Sequence, residues 1–419
     1  MNAATAADAS APNPLPANAL PANALPRVLL VTDSDLSPGS RGAGRTLVNL
    51  FSRYPADRLL ALGGGAVSPF TMEHGARVLA AAPGIPGRIT KALRRRIGHV
   101  DAAWVSVRPV PGTTEIRRFQ PDLVVAVPTN AVGVALAERC RRFAPLVTYL
   151  MDDWLAYEPG IPIAFDTKRR GRQLLRDSAA WLSISPYLLA STREFAGLDR
   201  PAHVVHNPVP LGAAEPAALT GARSGRFRIA YAGSVWPMHW DAVAAIAAGV
   251  HRLRSAGADV EFVLFTDRFF WGRHLDDWQR WGVIDGGLVP YAELGSALGG
   301  CDALLVASSF EASQAHMSRS SIQTKVTDYM AAGRPILACG PHDAASNRFL
   351  DEHECAFFAE DPAPAAIDAT LGAVIAARAA GVALARRAWD VVRREHEMGV
   401  VTDRLHRFLA SVPRVFAGG

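Results

Sequence analysis

Apolar runs of four to six residues recur along this chain, each closed by glycine, proline or charge and each followed by a stretch with helical spacing. The first, residues 27–32, is a continuous run of the kind a parallel sheet buries on both faces. A loop with Gly39, Gly42 and Gly44 follows, and then a helical pattern through Leu47, Val48, Leu50 and Phe51. Further strands are expected at 59–62, 123–127, 146–151 and 181–185, with 203–209 closing the series and helical stretches such as 133–143 between them. This alternation predicts a doubly wound α/β domain over residues 27–209. Residues 210–226, rich in Ala, Gly and Pro, read as a linker. The alternation then restarts, with strands expected at 227–234, 261–266, 303–307 and 336–338, so a second α/β domain is expected over 227–384. Residues 385–419 read as a terminal helix, through Trp389, Val392, His396 and Leu405, with a short tail. Residues 1–26 repeat Leu-Pro-Ala-Asn-Ala from Leu15 and Leu20 and read as a disordered leader.

Composition narrows this picture. A chain of 419 residues with 49% apolar content suits two folded domains. A net charge of +5 is too small to demand nucleic acid as a partner, and no basic-aromatic motif recurs. Basic residues do cluster at Arg88, Lys91, Arg94, Arg95 and Arg96, and again at Lys168, Arg169, Arg170 and Arg172. Such clusters suit solvated faces or weak attachment to anionic headgroups, at about 1 kcal/mol per basic residue. Cys140, Cys301, Cys339 and Cys355 have no paired spacing, which suits a reducing compartment. With no apolar run of about 20 residues and no basic start before an apolar core, the expected location is the cytoplasm, with peripheral contact at the inner membrane face as an option.

The chemistry concentrates in residues 324–338. Ile322, Val326, Tyr329 and Met330 recur at helical spacing, Gly333 suits a left-handed helix end, and Pro335 stops the helix before an apolar strand. Lys325 and Asp328, three apart, share one helix face, with Ser320 and Ser321 available as caps. A helix start attracts anions, a lysine one turn in adds a mobile charge for a pyrophosphate, and an aspartate can accept from paired ribose hydroxyls. The same spacing fits an ordinary surface helix with a weak ion pair. The chain, however, has only three lysines, at 91, 168 and 325, against a large excess of arginine. Asp152-Asp153-Trp154 follows an expected strand, where open α/β sheets bind ligands, although aspartates there also serve as caps and turns. The Gly39-x-x-Gly42-x-Gly44 spacing misses the dinucleotide fingerprint, and Asp33-x-Asp35 reads as a turn rather than a metal-binding pair.

The segment Lys325-x-x-Asp328-Tyr329-x-Ala331-x-Gly333-x-Pro335-Ile336 resembles the donor-site signature of GT-B glycosyltransferases, particularly retaining family 4, with Asp328 where relatives usually have Glu. The Ile184-Ser185 strand end and the Asn207-Pro208-Val209 segment look like the same family. The resemblance implies two Rossmann-like domains facing a cleft, with the terminal helix crossing back to the first. It also implies transfer of a sugar from a nucleoside-diphosphate sugar, the donor substrate, to a glycan, lipid-linked or small-molecule acceptor, without cofactor or metal. Asp328 would then bind the ribose, with Gly42, Arg45, Gly233, Ser234, Arg319, Ser321 and Lys325 around the donor and Asp152 and Asp153 as candidate catalytic carboxylates. Two departures stand out. Ser320 occupies the position where family 4 has a sugar-recognising Glu, with Glu311 as a weak substitute. The loop Val235-Trp236-Pro237-Met238-His239-Trp240 lacks the usual Arg and Lys, which leaves Lys325, Arg41, Arg45, Arg268 or Arg319 to meet the diphosphate. Trp236 and Trp240 could simply pack on one helix face, and His239 reads as structural or solvent-facing. A nucleotide-sugar epimerase of the same fold and a catalytically inactive binding partner are the competing expectations.

Overall fold

The structure is a computed structural model that describes residues 20–412 apart from 38, 64–71, 73, 74, 81–88, 90, 92, 94, 95, 159, 160, 213 and 221–224. Residues 1–19 of the expected leader, and Arg88, Arg94 and Arg95 of the first basic cluster, lie outside the described residues.

The first sheet contains β1 (Val28–Thr32), β2 (Leu59–Gly63), β3 (Arg77–Ala80), β4 (Leu123–Val127), β5 (Leu146–Leu150), β6 (Ala180–Ser183) and β7 (Ala202–Val204). It is parallel throughout, in the order β3-β2-β1-β4-β5-β6-β7. The second contains β8 (Phe227–Ala232), β9 (Val260–Phe265), β10 (Ile284–Asp285), β11 (Ala303–Ala307), β12 (Ile336–Cys339) and β13 (Ala356–Ala359), also parallel, in the order β10-β9-β8-β11-β12-β13. Central strands such as β1, β4 and β11 are buried along their whole length, as expected of strands with helices on both faces. Strands β3, β10 and β13, not expected from the sequence, are edge strands of two to four residues.

Order begins upstream of Arg27. Leu25 is buried in the first core, its carbonyl accepts from Arg58, and the Pro26 carbonyl accepts from the Tyr54 hydroxyl. In the expected linker, the short 3-10 turn Ala217–Thr220 carries Leu219 into the core of the second domain, where it packs beside Gly333.

The C-terminal region is helical but not one helix. Arg378–Val391 packs Trp389 into the second core, a π turn spans Val392–His396, and the helix Met398–Ser411 places Val401, Leu405 and Leu409 in the first core. The break falls at Glu397, whose carboxylate accepts from the Val400 amide and so caps the last helix. The chain thus crosses back to the first domain, and Glu397 bridges to Val209, where the chain first leaves that domain.

Candidate functional site

Between the carboxyl ends of β1 and β8 lies a cleft of about 670 Å³, walled by both domains. On the first-domain side Gly42, with φ of 54°, turns the chain into the helix Ala43–Phe51. A Cβ at Gly44 would lie 2.0 Å from the Asp35 carbonyl oxygen, so only glycine lets the turn close. The turn delivers Arg41 and Arg45 to the cleft. Arg45 lies over the ring of Tyr291 at 5.0 Å, and Arg41 pairs with Asp267 of the second domain at 2.8 Å.

The helix Lys325–Ala331 forms part of the opposite wall. Tyr329 anchors it, its hydroxyl accepting from the Ala232 amide at 2.7 Å. Thr327 Oγ1 donates to the Asn207 carbonyl at 3.0 Å and Asn207 Nδ2 donates to the Thr324 carbonyl at 3.2 Å, which ties the helix to the hinge. The expected caps do not form. The helix is only seven residues long and starts at Lys325, while Ser320 ends the preceding helix Ala315–Ser320. The surface-helix alternative fails as well, because Val326, Thr327, Tyr329 and Met330 are buried and no ion pair joins Lys325 to Asp328 among the described residues.

Lys325 Nζ is buried 3.7 Å from the centre of the Tyr231 ring and has no hydrogen-bond partner among the described residues; burial holds its pKa down at about 7. Asp328 accepts from the Tyr291 hydroxyl at 3.2 Å, and that hydroxyl accepts from Asn49 Nδ2 at 3.1 Å, a chain that crosses between the domains. Burial pushes the Asp328 carboxyl up to about 7, against the opposing pull of Tyr291 and of the Arg45 charge. Among the described residues Lys325 has no anion, and one turn on Asp328 accepts from Tyr291; an ammonium and a carboxylate so placed suit a ligand carrying anionic oxygens and hydroxyls.

Gly42, Arg45, Gly233, Ser234, Ser321, Lys325 and Asp328 all line this cleft, and so does Asp152. Burial pushes the Asp152 carboxyl up to about 6, with the Ser321 hydroxyl opposing the shift and the Asp153 charge adding to it. Three expected residues lie elsewhere. Asp153 lies off the cleft and accepts from Ser191 Oγ. Arg319 is exposed and pairs with Asp343 at 2.6 Å, outside the lining, and Arg268 is not part of it either. Ser320, at the position of the family's sugar-recognising Glu, is buried with its hydroxyl donating back to the His316 carbonyl, and Glu311 lies off the cleft. Asp35 accepts from the Ser37 amide at 2.9 Å, a turn contact, whereas Asp33 accepts from Thr129 Oγ1 at 2.8 Å and so ties the end of β1 to the end of β4.

The two tryptophans separate. Trp236 precedes the helix Pro237–Ser255 and faces the cleft, 45% exposed, whereas Trp240 stacks on His274 with ring centres 3.4 Å apart. His239 is buried and lines the cleft instead of facing solvent. Tyr291 and Asn49 were not legible as site residues; the only signal was position, Tyr291 following Pro290 at a helix start and Asn49 sitting among apolar helix residues.

No protein-family model matches the chain, and no curated protein matches its sequence. Solved structures do match. HepE of Anabaena, in a crystal with UDP and glucose, has a TM-score of 0.63 at 17% identity, over 92% of this chain and 100% of its own. Sucrose-phosphate synthase from Thermosynechococcus elongatus gives 0.67 at 12% identity, over 91% and 98%. WaaG, a glycosyltransferase involved in lipopolysaccharide biosynthesis, gives 0.59 at 12% identity, over 92% and 100%. At this coverage the likeness extends over both domains and establishes the GT-B fold for this chain.

Proposed function

We propose that this protein is a glycosyltransferase that moves a sugar from a nucleoside-diphosphate sugar to an acceptor hydroxyl held against its first domain. The observation that carries the reading is the unpaired, buried Lys325 Nζ one turn from the Asp328 carboxyl on the cleft wall, with Arg45 facing them. In this reading the ribose hydroxyls donate to Asp328 and the diphosphate lies between Lys325 and the Gly42 and Gly233 turns. HepE, matched over 92% of this chain, was crystallised with UDP and glucose, which supports a nucleotide-sugar ligand for this fold. Preorganised cations stabilise the charge that develops on the departing diphosphate, so the reading assigns no metal and no further cofactor.

Transfer with retention, in which the leaving phosphate takes the acceptor proton, follows from the family resemblance. The position of Asp152 favours a second reading, inversion, because a cleft carboxylate of raised proton affinity can serve as general base to the acceptor hydroxyl. A glycan or lipid-linked acceptor and peripheral membrane contact are supported by one face of the first domain. There Trp104 and Val107 are exposed and Arg108 lies over the Trp104 ring at 5.0 Å. The second basic cluster supports this less, since Arg170 pairs with Glu138 and Arg172 covers Phe195. Four buried free cysteines agree with a reducing, cytoplasmic setting.

A thermal-shift screen against UDP, GDP, ADP, dTDP and their sugar conjugates tests the donor site. One nucleotide should stabilise the wild type, by about 2.7 kcal/mol at a hundredfold excess over Kd, and Asp328→Ala should lose that shift. No shift with any nucleotide would turn the reading toward an inactive binding partner, and sugar interconversion without an acceptor would turn it toward an epimerase. With an acceptor in hand, Asp152→Asn should lower kcat by about 10²–10⁴ if the carboxylate is the base, and the product would be inverted. Asp153→Asn, whose carboxylate faces Ser191, should leave kcat within about twofold.

A further inference from the structure

Tyr231, near the end of β8, supports both His239, in the helix Pro237–Ser255, and Lys325, on the helix Lys325–Ala331. The Ser234 carbonyl accepts from the Tyr231 hydroxyl at 2.9 Å and contacts His239 Nδ1 at 3.1 Å. A carbonyl can only accept, so Nδ1 carries the ring proton and Nε2 keeps its lone pair. Lys325 Nζ lies on the face of the same Tyr231 ring, 3.4 Å from where a Gly233 Cβ would be. Both side chains line the cleft, and among the described residues no carboxylate pairs with either. The neighbouring acids are engaged elsewhere: Asp328 with Tyr291, Asp267 with Arg41, and Asp241 with the Phe310 amide. Of the remaining groups, Arg45 lies over Tyr291, and Tyr329 is committed to Ala232.

We propose that Lys325 and His239 form a proton-coupled site for the diphosphate, one that takes up protons as the anion enters and releases them as it leaves. This rests on the reading of the cleft as a donor site. Burial brings Lys325 down to about 7, and burial followed by the Lys325 charge brings His239 down to about 3. A diphosphate supplies the missing counter-charge and offsets both penalties, so both groups bind protons more tightly in the complex. The sign follows: affinity for a diphosphate falls as pH rises above the empty-site value of Lys325, whereas a pair of permanent cations would hold the anion across the whole range. Asp328 works in the opposite sense, since ribose hydroxyls favour its ionised form and release a proton. A ligand without ribose removes that release, and because the ligand's own ionisation is common to wild type and variant, the difference between them reports the pair.

The test is calorimetry of UDP and of inorganic pyrophosphate with the full chain, in buffers of different ionisation enthalpy. At pH 8 the wild type should take up roughly one proton more per pyrophosphate than Lys325→Arg, whose charge is permanent. At pH 6 the wild type should take up more than His239→Asn, which keeps an N–H for the Ser234 carbonyl and removes Nε2. Equal uptake by wild type and a folded Lys325→Arg at pH 8 would overturn the proposal and leave the donor reading standing. Equal uptake by wild type and His239→Asn at pH 6 would overturn the histidine's part. Failure of the wild type to bind either ligand would remove both readings together.

Discussion

The turn after β1 and the turn after β8 occupy equivalent places in the two domains, yet they bring opposite chemistry to the cleft. Each follows the first strand of its sheet, bends at a glycine with positive φ, and opens a helix: Gly42 before Ala43–Phe51, and Gly233 ahead of Pro237–Ser255. The first delivers Arg41 and Arg45; the second delivers Trp236, Met238 and a histidine held in one tautomer by Ser234. The arginines reach across the cleft, Arg41 to Asp267 and Arg45 to Tyr291, beside the carboxyl of Asp328. Cation supply to the proposed donor site is therefore divided between domains, and the complete charge set exists only when the two face each other. Domain closure would then complete the grip as well as exclude water.

The comparison can be broken most sharply at Gly44. Gly44→Val places a side chain against the Asp35 carbonyl, which must move, so stability should fall by about 1–3 kcal/mol and nucleotide binding should drop with it. Denaturant unfolding and nucleotide titration read the two effects separately, and binding that survived a displaced turn would show the arginine loop to be dispensable. Arg45→Ala asks about charge alone. It should weaken nucleotide binding by about 2 kcal/mol, roughly thirtyfold, because it removes a buried cation near Asp328. A change of only twofold would shift the weight to the second domain. The smallest effect belongs to Arg41→Ala, whose ion pair is 55% exposed on the arginine side. It should cost about 0.2–1 kcal/mol of nucleotide affinity, and the loss should vanish at high salt.

The strands buried on both faces were legible because their apolar runs are continuous, and the Asn207-Pro208-Val209 segment was legible through its resemblance to a family pattern. Short peripheral strands such as β10 were not, since a two-residue pairing leaves no periodicity to read. In the site, Lys325 and Asp328 stood out by type and spacing. Arg319 did not follow them, because Asp343, distant in sequence until the fold forms, pairs with it outside the cleft. Asp152 and Asp153 were indistinguishable as letters; the chain's direction after β5 sends one into the cleft and the other toward Ser191.

The sequence by itself determined two α/β domains, a glycine turn opening each, and a lysine and aspartate on one helix face, because periodicity and backbone propensity are local properties. Only the tertiary structure decided which charges meet. It set Tyr291 and Asn49 against Asp328 across the domain boundary, left Lys325 without an anion over Tyr231, and turned His239 inward. The strength of a charge depends on its burial and its partners, and both are fixed by residues far apart along the chain.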